Sequence, residues 1–212
     1  MKLKGSGFMF TKIASDALGL SDIGKIISPS DYHKVDSDDY IFNEDGEKIF
    51  FLIKSKSDEY CFTNKALIHV DGQNAISKKR NLYRYDYYKY KIDNVSLETA
   101  GTVDLDVEIK FSIGDKFFSI DVDKKQLEQL KDLYKALIKI QELTHENTIG
   151  LDISYKSLEM AERVLTNTRK EGIDVNAEMK AITEFAYNWM NGSRNTYIVK
   201  DFSDVFKKYI EN

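Results

Sequence analysis

Apolar positions along the chain change period twice. Phe10, Ile13, Ala14, Ala17 and Leu18 fall at i, i+3, i+4, i+7 and i+8, the stripe of a short amphipathic helix stopping at Gly19. Leu20, Ile23 and Ile27 continue it after a break, and Ser28-Pro29-Ser30-Asp31, which holds the only proline, closes the segment. From about residue 44 to 122 the period is two. Runs rich in Ile, Phe, Tyr and Val predict strands at 47–55, 58–63, 66–71, 80–87, 91–98, 102–113 and 116–122. Helical spacing returns with Leu127, Leu130, Leu133, Tyr134, Leu137, Ile138 and Ile140, which predicts a helix over 124–143 covering the sheet. Residues 144–150, Thr-His-Glu-Asn-Thr-Ile-Gly, carry no pattern and are the expected boundary. Three more helical stripes follow: Leu151, Tyr155, Leu158 and Leu165; then Val175, Met179, Ile182, Phe185, Ala186 and Trp189; then Val199, Phe202, Val205, Phe206 and Tyr209. Gly172 and Asn191-Gly192-Ser193 are the expected stops between them.

Side-chain facing alone sets three registers. A two-residue Gly114-Asp115 loop puts Phe111 opposite Phe118, Ile109 opposite Ile120 and Val107 opposite Val122, one continuous apolar face. For the preceding pair, a three-residue Thr99-Ala100-Gly101 loop matches Leu97 to Val103 and Val95 to Leu105, whereas a two-residue loop would match these apolar residues to Asp104 and Asp106. Around Asn64-Lys65, Cys61 pairs with Ile68 and His69 with Tyr60 on the opposite face. The only cysteine and a nearby histidine therefore point apart, which argues against a nucleophilic pair. A buried structural thiol and a half-exposed imidazole are expected.

Length and composition narrow the class. The 212 residues allow one large or two small domains, and 42% hydrophobic with 31% charged residues is the balance of a folded globular chain. No apolar run approaches the roughly 18 residues of a membrane span. A lone Cys61 excludes an intrachain disulfide and, without a cleavage pattern after Lys2 and Lys4, points to the cytoplasm. The net charge of −4 divides evenly, with 9 basic against 11 acidic residues from 146 onward and 22 against 24 before. Neither half is a polycation, so no nucleic-acid partner is expected.

Candidate chemistry is sparse. His33 and His145 form no zinc pattern with Cys61. Asp104, Asp106 and Glu108 share a strand face and Asp36, Asp38 and Asp39 share a loop, but neither has the order of a calcium loop, and both read as solvated surface. No metal, cofactor or catalytic residue is assigned. Lys78 to Lys91 (KKRNLYRYDYYKYK) is the one basic and aromatic run, with six cations, one acid and five tyrosines. Its simplest reading is a strand and turn whose Tyr83, Tyr85 and Tyr87 line one face while Arg84 and Lys89 stay in water. If the chain has a ligand surface, Lys78, Lys79, Arg80 and Arg84 are its candidates.

Seven strands and a closing helix are the element count of a pleckstrin-homology-like barrel. The stretches FTKIASDALGLSDIGKII (10–27), DEYCFTNKALIHVDG (58–72) and LETAGTVDLDVEIKF (97–111) closely resemble the bacterial PH-domain family, in particular its YvbH-like members. Asp86 stands where relatives often carry proline, and residues 1–8 precede the start of the resemblance, where a disordered head or an upstream start is expected. The resemblance implies an α+β fold: a seven-stranded antiparallel barrel or sandwich capped by a helix, followed by an all-α helical hairpin. The expected organisation is an N-terminal helical segment (1–30), a PH-like domain (31–145) and a helical oligomerisation region (148–212). The lipid-binding loop of eukaryotic PH domains is degenerate here, Lys54 and Lys56 being followed by Ser57, Asp58 and Glu59, so membranes are not the expected target. Burial arithmetic and the resemblance both point to Leu158, Leu165, Ile182, Phe185, Trp189, Phe202, Val205, Phe206 and Tyr209 as the assembly surface, since three short helices cannot bury that much apolar area among themselves. The expected function is a non-enzymatic homo-oligomeric scaffold or binding module with an unidentified protein partner. The alternatives are an enzyme with an active site between subunits and a peripheral module for anionic lipids. A chain ending near Glu146 is expected to be smaller and still folded.

Overall fold

A computed structural model describes residues 21–72, 80–99, 106–167, 172 and 174–211. The helix expected at 10–18 lies outside them. Eight strands form two antiparallel sheets: β1 (Lys25–Ile26), β2 (Ile49–Lys54), β3 (Glu59–Thr63), β4 (Ala66–Gly72) and β5 (Arg80–Asp86) in the first, in that order, and β6 (Ile92–Glu98), β7 (Asp106–Ile113) and β8 (Lys116–Asp123) in the second. Among the described residues each of the seven expected strands is found, the sixth from Asp106 onward, and β1 is an additional one. Residues around β1 tie the two sheets at one corner, where Gly24 N donates to Asp121 O (2.8 Å) and Asp123 N donates to Gly24 O (3.0 Å). A Cβ at Gly24 would press on the Asp121 carbonyl at 2.8 Å, so the approach needs glycine. No ladder joins β5 to β6 among the described residues.

The first sheet is buried on both faces at its central strands, β2 to β4, and partly exposed at β5. Three short 3₁₀ turns, Pro29–Lys34, Asp36–Tyr40 and Asn43–Asp45, fold over its outer side, and Val35 and Ile27 pack there against Leu52, Cys61 and Ile68. This is why β2 and β4 read as near-continuous apolar runs rather than alternating ones. β7 has one wet face and alternates strictly.

The β7–β8 hairpin has the expected register, with Phe111 opposite Phe118, Ile109 opposite Ile120 and Val107 opposite Val122. The β6–β7 register is a correction: Leu97 faces Ile109, six residues further along than the expected Val103. A slip by an even number of residues keeps every apolar side chain on its face, so the pattern by itself could not exclude it. Between Asp93 and Ser96 the ladder is bulged, with Asn94 at φ 55°, a left-handed conformation that asparagine tolerates.

The helical part departs further from expectation. Helix α1 runs unbroken from Leu127 to Asn167, straight through 144–150, and α2 runs from Val175 to Tyr197, straight through Asn191-Gly192-Ser193. A glycine inside a helix costs only about 1 kcal/mol, too little to stop one that is held by packing. Gly172, between the described ends of α1 and α2, has φ 89°, a conformation suited to glycine. The first half of α1 buries Leu130, Leu133, Ala136, Leu137 and Ile140 in the sandwich, and its second half leaves the sandwich to pair with α2. Helix α3 (Ser203–Ile210) returns to the β-sheets.

Candidate functional site

The nine residues expected at the assembly surface divide into two groups. Phe202, Val205 and Phe206 are buried in the chain's own core, a correction to their place in that surface. Phe206 stacks on Phe50 with ring centroids 5.4 Å apart, and Phe202 meets Tyr87 edge-on at 5.9 Å. Tyr209 packs partly buried beside them. The link into α3 is pinned as well: Phe202 N donates to Asn64 O (2.8 Å), and the Asn64 amide donates to the Asp201 carboxylate (2.9 Å). The stripe was legible as apolar, but the sequence carried no mark of which surface it would meet.

Leu158, Leu165, Ile182, Phe185 and Trp189 lie on the α1–α2 hairpin. Its seam sets two aromatic side chains against small residues. The Tyr197 ring lies against Gly150, Ser154 and Ser193 exchange a hydroxyl hydrogen bond, and Trp189 Nε1 donates to the Ser154 carbonyl at 3.0 Å. Beyond the seam little is covered. None of the 23 residues of α2 is fully buried; Phe185 is 57% and Met179 68% exposed. Leu158 is half-buried, while Leu165, Ile182 and Trp189 stay exposed although they belong to the same pair of helices. Ile153, Met160 and Val164 are exposed on a second face of α1, more than a quarter turn from Leu158 and Leu165. Their spacing of i, i+7 and i+11 is a helical-face signal that the sequence reading missed. Among the described residues no third layer covers the hairpin, and two helices alone cannot cover both their apolar faces.

The basic run disperses. Lys78 and Lys79 lie outside the described residues. Arg80 approaches Asp36 at 4.0 Å. Arg84 is a fixed internal link rather than a solvated cation: its Nη1 donates to buried Glu47 (3.1 Å), its Nε donates to Asp86 (2.7 Å), and its guanidinium lies over the Phe42 ring at 4.8 Å. Glu47 also accepts from Thr63 Oγ1 (2.6 Å) and Phe42 N (2.9 Å). In the degenerate lipid loop, Lys54 is paired with buried Glu59 and Lys56 is exposed.

Cys61 and His69 point apart, in the expected register with Ile68 and Tyr60. Cys61 is fully buried, and burial pushes its thiol pKa up, away from reactivity. His69 is buried rather than half-exposed: it stacks on Tyr60 at 4.7 Å and meets Phe118 edge-on at 5.5 Å, with Nε2 against Asp58 at 3.2 Å. Burial opposes the Asp58 carboxylate, but hydrogen bonds from His69 and Ser57 outweigh it and hold its pKa below the usual value. Maleimide should label Cys61 only at the rate of unfolding, and Cys61→Ser should lower stability by about 1–3 kcal/mol if the new hydroxyl is unpaired. Rapid labelling of the folded chain at neutral pH would show the thiol to be accessible. Among the described residues no three of His, Cys, Asp and Glu are grouped to hold a metal ion, and no helix is long and apolar enough to cross a membrane.

Comparison with known proteins places the two parts separately. Residues 17–141 match the family described as Bacterial PH domain, and 152–212 match the YvbH-like oligomerisation region. The chain is 59% identical over 204 residues to the "Uncharacterized protein YvbH" of Bacillus subtilis (strain 168), covering 96% of this chain and all of that one. It is 35% identical over 97 residues to YjqA of the same organism, covering 45% of this chain and 76% of that one. The crystal structure of a PH domain containing bacterial protein from Exiguobacterium sibiricum 255-15 superposes with a TM-score of 0.82 at 50% identity, over 89% of this chain and 99% of that one. With its two-sheet α+β sandwich and helical hairpin, the chain belongs to the bacterial PH-domain family, in the form that carries a YvbH-like oligomerisation region.

Proposed function

We propose that this chain is a non-enzymatic, cytoplasmic homo-oligomer in which the α1–α2 hairpin joins copies and the PH-like sandwich is displayed as a scaffold or binding module. The observation carrying the reading is α2, a helix of 23 residues with no fully buried side chain. At about 1.5–3 kcal/mol for each large apolar side chain removed from water, covering Met179, Ile182, Phe185 and Trp189 supplies a strong drive to associate. A second copy offers the same surface, and the match to an oligomerisation region at 152–212 supports that choice of partner.

Light scattering on the intact chain and on a Met179→Asp/Phe185→Asp variant tests this. Both positions are exposed on α2, so the variant should keep the circular dichroism of the parent while its mass falls to fewer subunits. An unchanged subunit count would move the contacts off the hairpin, and a monomeric parent would refute the proposal.

A further inference from the structure

A cleft of about 200 Å³ opens where the hairpin leaves the sandwich, between the β5–β6 turn, the middle of α1 and the end of α2. Its walls are mostly apolar, built from Tyr87, Tyr197, Leu151 and Val199. A dry cavity of about 150 Å³ is enough for a benzene molecule, so this one takes a single ring with a small substituent. Tyr197 is held as a wall because its ring is seated against Gly150, where any Cβ would collide with it.

Polar groups reach the cleft from the β5–β6 turn and from α1. Lys91 and Asn147 both line the cleft, and among the described residues neither the Lys91 ammonium nor the Asn147 amide has a hydrogen-bond or ion-pair partner. Thr144 and Thr148 direct their hydroxyl protons back to α1 carbonyls, at 2.9 and 2.8 Å, and so do not compete as donors. Two further ammonium groups lie over the Tyr88 ring at the rim, Lys89 at 5.1 Å and Lys200 at 5.3 Å. Among the described residues Asp86 pairs with Lys89 and Arg84, so Lys91 and Lys200 are the cations that carry net charge at the cleft. The local charge is therefore positive, with unpaired donors above apolar walls of one-ring size.

We propose that this cleft binds a small aromatic carboxylate, its ring between Tyr197 and Leu151 and its carboxylate on Lys91 and Asn147. A charge-assisted hydrogen bond in a partly desolvated cleft is stronger than one in water, and few other contacts are needed to orient so small a molecule. Nothing in this assignment depends on the hairpin's role in assembly.

Isothermal titration of the full chain with benzoate tests it, with benzyl alcohol as the uncharged analogue. The variants are Lys91→Glu, at an exposed turn position, and Thr148→Trp, which fills the cleft from an exposed helix position; circular dichroism and light scattering establish that each keeps the parent's fold and mass, with Lys91→Gln and Thr148→Phe as substitutes if either does not. Benzoate should bind once per chain, at least about tenfold more weakly to Lys91→Glu, with no binding to Thr148→Trp, and benzyl alcohol should bind the parent at least about tenfold more weakly than benzoate does. Absence of saturable benzoate binding overturns the proposal. So does binding that ignores Lys91→Glu, which would remove the carboxylate assignment, or binding lost in Met179→Asp and kept in Thr148→Trp, which would place it on the hairpin's outer face.

Discussion

A chain cut after Glu146 is expected to lose the fold of the sandwich itself, the reverse of the still-folded domain that the sequence pattern suggests. The cut removes α3, and with it Phe202, Val205 and Phe206 from the core shared by Phe50, Tyr87 and the first half of α1. Three large side chains at about 1.5–3 kcal/mol each come to roughly 5–9 kcal/mol, comparable with the whole stability of a typical domain, about 5–15 kcal/mol. The buried Asn64 amide would also lose the Asp201 carboxylate. Thermal unfolding followed by circular dichroism should show no cooperative transition for the shortened chain, and a peptide of residues 198–212 added in excess should restore one. A shortened chain melting within a few degrees of the parent would mean that α3 adds little. The full-length Phe206→Ala variant gives a milder version, with an expected loss of about 3–5 kcal/mol.

Glu47→Ala should be among the most damaging single substitutions outside the apolar core. Glu47 is buried and accepts from Thr63, Phe42 N and Arg84 at once. Removing one partner of a buried ion pair leaves the other uncompensated, at a cost of about 3–5 kcal/mol, whereas replacing both by apolar groups is far milder. Urea unfolding at fixed protein concentration should thus show a larger loss for Glu47→Ala than for Glu47→Ala/Arg84→Met. A loss under about 1 kcal/mol for the single variant would mean that Asp86 alone satisfies the guanidinium. The same experiment bears on Arg84 as a ligand residue, because a side chain that locks β5 to the Phe42–Glu47 segment has no freedom to meet a ligand.

The sandwich was legible wherever two strands each carry an unambiguous face. Phe111, Ile109 and Val107 have single matches across a two-residue loop, and Cys61 and His69 were separated by the same logic. Leu97 was misplaced because Val103, Leu105, Val107 and Ile109 recur at every second position of the sequence, so several registers fit the pattern equally well. The local device that accompanies the true register, a left-handed Asn94, is one that asparagine adopts without any sequence mark. The short β1 strand was read as part of a helix, since Ile23 and Ile27 satisfy that spacing and the bridge at Gly24 depends on a carbonyl 97 residues away. The hairpin surface was legible as excess apolar area, but its separation from α3 was not. Phe206 and Phe185 look alike in a pattern, and only the space beside Phe50 decides that one is core and the other surface. The cleft was invisible for a related reason: Thr144, Asn147 and Thr148 interrupt the stripe of α1 and so passed for a linker.

Helix α1 has 41 residues, ~60 Å at 1.5 Å per residue, and it belongs to the sandwich at one end and the hairpin at the other. Each residue turns a helix by about 100°, so the number of residues between Ile140 and Ile153 fixes the compass bearing of the hairpin's apolar face relative to the sheets. Exposed side chains in that stretch are free to vary, while inserting or deleting one residue would swing the face by more than a quarter turn. The return through α2 to α3 is clamped at Asn64, so the hairpin is anchored at both legs and cannot swivel to absorb such an error. In an assembly joined through the hairpins, every copy would then hold its sandwich at one fixed angle, and the direction in which the sandwiches point would be written in a residue count.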